Sequence, residues 1–449
     1  MKLRTMGCAL VMLVTATGMA QLPATSSLVP QVDHHQHLLS PTLAVALSGL
    51  PAAIELPPEL HRRFKEEAPR FNETAAIAEF YTEDAVLIFS FAPQGPQPET
   101  WVRGRQPIAN YLAGAFSRQY ALTPVAYGIE GSTGYIAGYL SGLPRHFAFH
   151  LSLKKGGDAV WRIAAQSLIF GTPAPEPITA DRLIAQLDAA GIRRAVALSL
   201  AYMLGSPSLR GADEYAQVRG ENDWTSQQVA RYPDRLRAFC SFNPLREYAL
   251  AELERCAKDP NLRRGLKLHF ANSQIDLKNP GHVEQLRRVF RAANERRMPI
   301  IAHIWTGNQR IGRPYGRAEA QVFLSEILPV APDIPIQIAH LSGAGPGLDA
   351  GSKEALIMFA DAISAADPRT RNLFFDVTTN VTMQTSAEDA KFIADRLRQI
   401  GLRRILYGSD MAISGNLTAR QGWGAFRGLM PLTEAEFRTI ANNIAPYMR

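Results

Sequence analysis

Cysteine is scarce in this chain, with three in 449 residues, which excludes a scaffold built on disulfides. Long apolar runs are scarcer still. Beyond the first twenty residues no stretch approaches the ~20 apolar residues that span a bilayer as a helix, so no stable membrane insertion is expected. Neither sign of charge dominates: 48 Lys and Arg face 41 Asp and Glu. The short pairs Arg62-Arg63, Arg193-Arg194 and Arg263-Arg264 are scattered among acids and read as solvated positions, so no nucleic-acid partner is expected. There is no internal repeat and no low-complexity tract. What is present is an ordinary globular composition, 46% apolar and 20% charged, in a chain long enough for two domains.

The N-terminus has its own logic. Lys2 and Arg4 precede an apolar stretch from Cys8 to Val14, and Gly18-Met19-Ala20 ends in small residues. Residues 1–20 read as an export signal cleaved after Ala20, leaving a periplasmic or secreted protein. Cys8 departs with it. Cys240 and Cys256 remain, and they are expected to be two buried free thiols, although an oxidising compartment permits pairing.

From about residue 179, short β-branched runs alternate with stretches at helical spacing, the pattern of parallel strands and crossover helices. Strands are expected at 194–200, 236–242, 264–270, 299–304, 335–341, 373–378 and 404–410. Adding "PQVDHHQH" near the mature N-terminus makes eight, the number of a closed (β/α)8 TIM barrel. The first two strands lie far too distant for one crossover, so a second domain has been inserted. The division expected is barrel over 21–60 and 172–449, with an inserted α+β domain over 61–171. Glycine-punctuated alternating segments such as "TGYIAGYLSG" and "RHFAFHLSLKK" read as its antiparallel strands.

Residues 33–37, Asp-His-His-Gln-His, hold three of the ten histidines in the chain. His35 and His37 are two apart and share one side of an extended strand. Asp33 has the same parity, whereas His34 points the other way and reads as a histidine satisfied by a backbone group. Three more polar groups close predicted strands: His303 the fifth, His340 the sixth and Asp410 the eighth. The carboxyl ends of all barrel strands meet at one mouth. Four imidazoles and a carboxylate converging there suit zinc, manganese or iron(II), and burying them together costs free energy unless something pairs with them.

"VDHHQHL", "GLKLHF", "IIAHIWTG", "IQIAHLSG" and "ILYGSD", in that order, resemble the amidohydrolase superfamily, in particular its branch of metal-dependent hydrolases and nonoxidative decarboxylases. "YPDRLRAFCSFNPL" (232–245) and "IANNIAPYM" (440–448) are similar to that branch too. The resemblance implies that His35, His37, His303 and Asp410 bind one divalent ion, most readily Zn2+, with Mn2+ or Fe2+ as alternatives. His340 would polarise a carbonyl or shuttle a proton, and Asp410 would double as general base. Lys267 and His269, two apart on the fourth strand, face the mouth as substrate-binding candidates. For Lys267 three readings stand open: partner of an anionic substrate group, carbamylated bridge between two metals, or interior cation paired with Asp376. Trp305 and Arg310, after the fifth strand, are further substrate-binding candidates, and Asn243 reads as a pocket or turn residue.

The insertion, with "AEFYTEDAVLIF", "VRGRQPIANYL" and "AVWRIAAQSLIF", is similar to the SnoaL-like, nuclear transport factor 2-like family, which implies a cone with an apolar pocket. His146, His150, Asp84 and Arg103 are its polar candidates, with a half-exposed sheet face as the plainer account of the histidines. It is expected either to roof the active site or to form a homodimer. The chain as a whole reads as a hydrolase that cleaves an amide, ester or lactone bond of a small molecule through metal-activated water. The alternatives are decarboxylation of an aromatic or unsaturated acid, and a non-catalytic periplasmic binding protein.

Overall fold

The computed structural model describes residues 28–48, 53–69, 73–90, 100–115, 121–141, 147–170, 177–209, 213–307, 313–345, 347–411 and 417–449. The expected export signal, His146 and Arg310 lie outside the described residues. The chain divides into two compact units, one made of residues 1–39 and 178–449, the other of 40–177. Residues 40–60, expected in the barrel, thus lie in the second unit. The division point is explicit in hydrogen bonds: Leu39 N–H donates to Ile178 O at 3.2 Å and Ile178 N–H to Leu39 O at 2.9 Å, so exit and return strands are stapled together.

The first strand, β1 (Val32–His37), belongs to the first unit, and all six of its residues are buried. The second unit contributes β2 (Tyr81–Ser90), β3 (Thr100–Arg103), β4 (Ala121–Glu130), β5 (Thr133–Ser141), β6 (Phe147–Lys155) and β7 (Trp161–Phe170). The chain then returns to the first unit through β8 (Arg194–Leu198), β9 (Leu236–Ser241), β10 (Leu266–His269), β11 (Ile300–His303), β12 (Ile336–Ile338), β13 (Leu373–Asp376) and β14 (Ile405–Leu406).

In the first unit eight strands run parallel in the order β1-β8-β9-β10-β11-β12-β13-β14. The eight-stranded TIM barrel expected from the sequence is the architecture found. Its seam closes where His34 N–H donates to Tyr407 O and Asp410 N–H to His35 O, both at 2.8 Å. Crossover helices start on side-chain caps that satisfy otherwise unpaired N–H groups: Thr179 for Ala180–Ala190, Asn279 for Pro280–Glu295 and Ser386 for Ala387–Ile400. Among the described residues no helix is long and apolar enough to cross a membrane.

Cys240 and Cys256 form a disulfide, with their Cα atoms 6.2 Å apart. This corrects the expectation of two free thiols. Cys256 lies on the buried face of the helix Ala249–Lys258, beside Ala249, Glu252 and Leu253. That face packs back on β9, which carries Cys240. Sixteen residues of sequence separation say nothing of such a return.

The second unit is a six-stranded sheet in the order β3-β2-β7-β6-β5-β4, antiparallel except where β2 meets β7. Leu87, Phe89, Ile136, Leu140, Leu151 and Leu168 bury one face of the sheet against Ile108 and Leu112 of the helix Arg105–Ala115. A cavity of ≈ 540 Å³ lined by Phe64, Ile77, Phe80, Leu112, Ile163 and Gln166, among others, opens beside that core. His150 stands exposed on the opposite face, stacked on Tyr135 at 5.8 Å. Asp84 and Arg103 are exposed as well.

Candidate metal centre

Parallel strands deliver their last residues to one end of the barrel, and three of them, His37, His269 and His303, are imidazoles. His269 and His303 are register partners on β10 and β11, and their rings stack at 4.0 Å. His303 lies 4.8 Å from His340, His340 4.9 Å from His35, and His35 5.4 Å from His37, ring centre to ring centre. His37 Nε2 is 3.5 Å from Asp410 Oδ1. One ligand atom each from His35, His37 and Asp410 falls within a 4.8 Å group. His303, expected as a further ligand, is not in that group.

Two of these side chains are aimed by unusual backbone. His340, Leu341 and Ser342 have φ of 54°, 48° and 67°, and Asp410 has φ of 50°. Non-glycine residues held in the left-handed region cost free energy that the surroundings must offset, and such strain gathers at functional sites.

Hydrogen bonds at the far side of each ring decide what it offers to the centre. His35 Nδ1 donates to Asp376 Oδ2 at 3.0 Å, His37 Nδ1 to Leu198 O at 2.9 Å, and His340 Nδ1 to Thr378 O at 3.0 Å. Each neutral ring therefore keeps its proton on Nδ1 and presents an Nε2 lone pair. Burial drives all these imidazoles toward the neutral form. His35 is brought down to about 3, first by burial and then by Lys267, and His37, His303 and His340 are lowered for the same first reason. His303 Nε2 is buried with no hydrogen-bond partner among the described residues. Such an orphan is rare in folded proteins and calls for an occupant.

Asp376 is the anchor beneath the centre. Its carboxylate accepts from His35 Nδ1, from Gln337 Nε2 at 2.6 Å, and from the N–H groups of His340 at 2.8 Å and Thr378 at 3.3 Å. Burial alone would raise its pKa, but His35, His340 and these hydrogen bonds outweigh it and hold the carboxyl well below the usual range. Asp33, of the same parity as His35, serves the seam instead: it accepts from Ser409 N–H at 3.0 Å and Ser409 Oγ at 2.8 Å. Burial pushes it up to about 6. His34 turns away and is satisfied by Tyr407 O and Ala445 N–H.

Lys267 is buried, with Nζ 3.0 Å from His35 Nε2. Burial lowers its pKa to about 8 against the pull of Asp410 and Asp376. The direct pairing with Asp376 considered from the sequence is not formed, because that carboxylate is already taken by four donors. Trp305 donates its indole N–H to Asp349 at 3.2 Å and packs near Tyr315; none of these contacts reaches the histidines. Asn243 takes the turn role, accepting from Leu245 N–H and donating to Gly205 O. Reading by sequence missed Tyr202, whose ring lies 5.0 Å from His269 and 6.5 Å from His37. Its only signal was its place four residues past a strand end. Asp376 as an anchor was missed too, though it closes β13.

These donors fit a divalent ion: neutral imidazole lone pairs with their second nitrogens fixed, a carboxylate, and an orphaned buried nitrogen. Asp376→Asn is expected to weaken that fit. The amide oxygen can still receive His340 N–H and Thr378 N–H, but the NH2 then faces His35 Nδ1 and drives its proton to Nε2. Metal affinity should fall by about ten- to a hundredfold while the far-ultraviolet spectrum is kept. Unchanged affinity in a competition titration with a chromogenic chelator would contradict this role.

The family model described as amidohydrolase matches residues 163–443. Among curated proteins no significant match is found. Among solved structures, the 2,6-dihydroxybenzoate decarboxylase from Rhizobium shares 17% identity over 58% of this chain and 85% of its own, with a TM-score of 0.41. For the 5-carboxyvanillate decarboxylase from Sphingomonas paucimobilis the figures are 17%, 57%, 79% and 0.41. A dihydroxybenzoic acid decarboxylase from Polaromonas sp. JS666, solved with manganese, is 17% identical over 58% of this chain and 83% of its own, at 0.38. Overlaps this shallow leave the reaction open. The family match is of another order, since it spans well over half of the residues and takes in seven of the eight barrel strands together with His303, His340 and Asp410, and by it the chain belongs to the amidohydrolase family.

Proposed function

We propose that this chain is a divalent-metal-dependent enzyme acting on a small organic molecule at the barrel mouth, in the first place a hydrolase of an amide, ester or lactone bond. One observation carries the reading: three imidazoles locked through Nδ1 turn their Nε2 lone pairs inward beside Asp410 and the orphaned Nε2 of His303. A bound ion supplies Lewis acidity toward a substrate oxygen and makes water acidic enough to react near neutral pH. Asp410, 3.5 Å from His37, accepts the proton released as water attacks. His340, held by Thr378 O, polarises the carbonyl or returns a proton to the leaving group. The nitrogen and oxygen donor set favours zinc, with manganese and iron(II) compatible.

Lys267 bears on how many ions bind. An ammonium 3.0 Å from His35 Nε2 competes with a cation on that nitrogen. A pKa brought down to about 8 gives access to the neutral amine, which relieves the competition at one ion. Carbamylation would turn the cation into an anion and admit a second ion, with His303 and His340 as its further ligands.

A second reading, nonoxidative decarboxylation of an aromatic or unsaturated acid, is favoured by the same lysine. Among the described residues Lys267 is buried without a carboxylate in ion-pair contact, and a substrate carboxylate would supply one.

Metal analysis followed by product analysis separates these readings. The purified protein is expected to carry about one equivalent of ion, and panels of lactones, esters and amides in isotopically labelled water should yield labelled product. Release of carbon dioxide from aromatic acids, with a solvent hydrogen taken up at the ring carbon and no water oxygen in the aromatic product, would move the assignment to decarboxylation. Metal far below stoichiometric, with nothing gained from added zinc or manganese, would leave a binding protein and end the enzymatic reading.

A further inference from the structure

We propose that the Tyr202 hydroxyl and the Nε2–H of His269 form a pair of neutral hydrogen-bond donors that hold a carbonyl or carboxylate oxygen of the substrate beside the metal centre. This rests on the reading of the site as a metal-dependent one, and it assigns the two sides of that site different work.

The histidine divides from its neighbours by tautomer. His269 Nδ1 accepts the Asn272 backbone N–H at 3.3 Å, so the neutral ring must carry its proton on Nε2. His35, His37 and His340 are the reverse, since each donates from Nδ1. The cluster of imidazoles is therefore two sets. Three rings offer lone pairs, as ligands must, and His269 offers a donor, which no metal accepts. Stacking on His303 at 4.0 Å, with the planes 21° apart, fixes the ring.

Tyr202 supplies the second donor. It sits in the helical turn Ala201–Leu204 that follows β8, and its backbone N–H is tied to Ser241 Oγ at 3.2 Å. The side chain is 3% exposed. Its ring rests 5.0 Å from His269 and 6.5 Å from His37, yet among the described residues the hydroxyl has no hydrogen-bond partner. Buried tyrosines ordinarily find one, and an oxygen of a bound ligand would provide it. Burial and then Asp410 push the phenol pKa up, so the group remains a donor throughout the working range. Because both donors are uncharged, they recognise an oxygen without opposing a neighbouring cation, and they strengthen their hold as charge builds on that oxygen.

Benzoate serves as the probe, titrated calorimetrically into manganese-loaded and metal-free protein, alongside turnover of the best substrate from the panels and metal content. Tyr202→Phe is expected to weaken benzoate binding about tenfold or more and to lower kcat by about a hundredfold or more, with metal content and thermal stability retained. His269→Leu should follow it, and His269→Gln, whose amide can donate, should recover most of the loss. Tyr202→Phe matching wild type in both binding and kcat would overturn the proposal, as would wild-type protein that fails to bind benzoate in either form. Wild type without metal or turnover would instead sink the metal reading, and the metal-free titrations would still decide the donors.

Discussion

Asp410→Asn is expected to lower kcat by about a thousandfold or more and to leave the barrel folded. The substitution keeps size and shape but removes the charge beside His37 Nε2, 3.5 Å away. The backbone is spared, because Asp410 N–H still donates to His35 O at 2.8 Å, and asparagine tolerates the φ of 50° found here better than other residues. Two losses then combine: the carboxylate that receives a proton during attack, and a ligand charge that helps hold the ion. Turnover measured at saturating zinc or manganese separates them, since excess metal restores occupancy but not the base. Activity within tenfold of wild type under those conditions would remove Asp410 from the chemistry.

Acid should unfold the metal-free protein early. His34 and His35 are fully buried, and burial brings them down to about 4 and about 3 from an ordinary 6.5. In the unfolded chain both take up protons as pH falls through 6.5, whereas in the fold they remain neutral until about 4 and 3. The unfolded state therefore binds more protons across that window, and stability falls with pH by about 1.4 kcal/mol per unit for each group. From pH 6.5 to about 4.5 the pair alone removes about 5 kcal/mol, a large share of the 5–15 kcal/mol that typical domains possess. His37, His269, His303 and His340 shift in the same direction. Asp376, held low, adds its own loss at still lower pH, because a depressed carboxylate stabilises the fold only while ionised. Urea titrations at several pH values between 7 and 4.5 check this; a flat profile would mean that the rings are not buried as neutral groups.

The order of the strands and the residues at their ends were legible in the sequence. Short β-branched runs spaced by amphipathic stretches have few folded solutions, and eight of them meet in a barrel. His35 and His37 share a side because strand side chains alternate. His303, His340 and Asp410 stand out as polar closures of apolar runs. Nothing local marked Cys240 and Cys256 as partners, since pairing depends on the angle at which a helix folds back on β9. The edge of the insertion escaped as well: residues 40–60 are apolar and helix-prone, and which unit they join is a matter of packing.

By itself, then, the sequence determined the barrel, the family and the polar groups that line its mouth, all consequences of periodicity and residue type along single segments. Only the tertiary structure decided what each group offers. Asp376 reaches His35 across 341 positions and Leu198 O reaches His37 across 161, and those contacts hold the protons on Nδ1 and leave both Nε2 atoms as lone pairs. Tautomer, unlike hydrophobic period, is set by which atom lies three ångströms from a nitrogen, and for His35, His37 and His340 that atom comes from elsewhere in the chain.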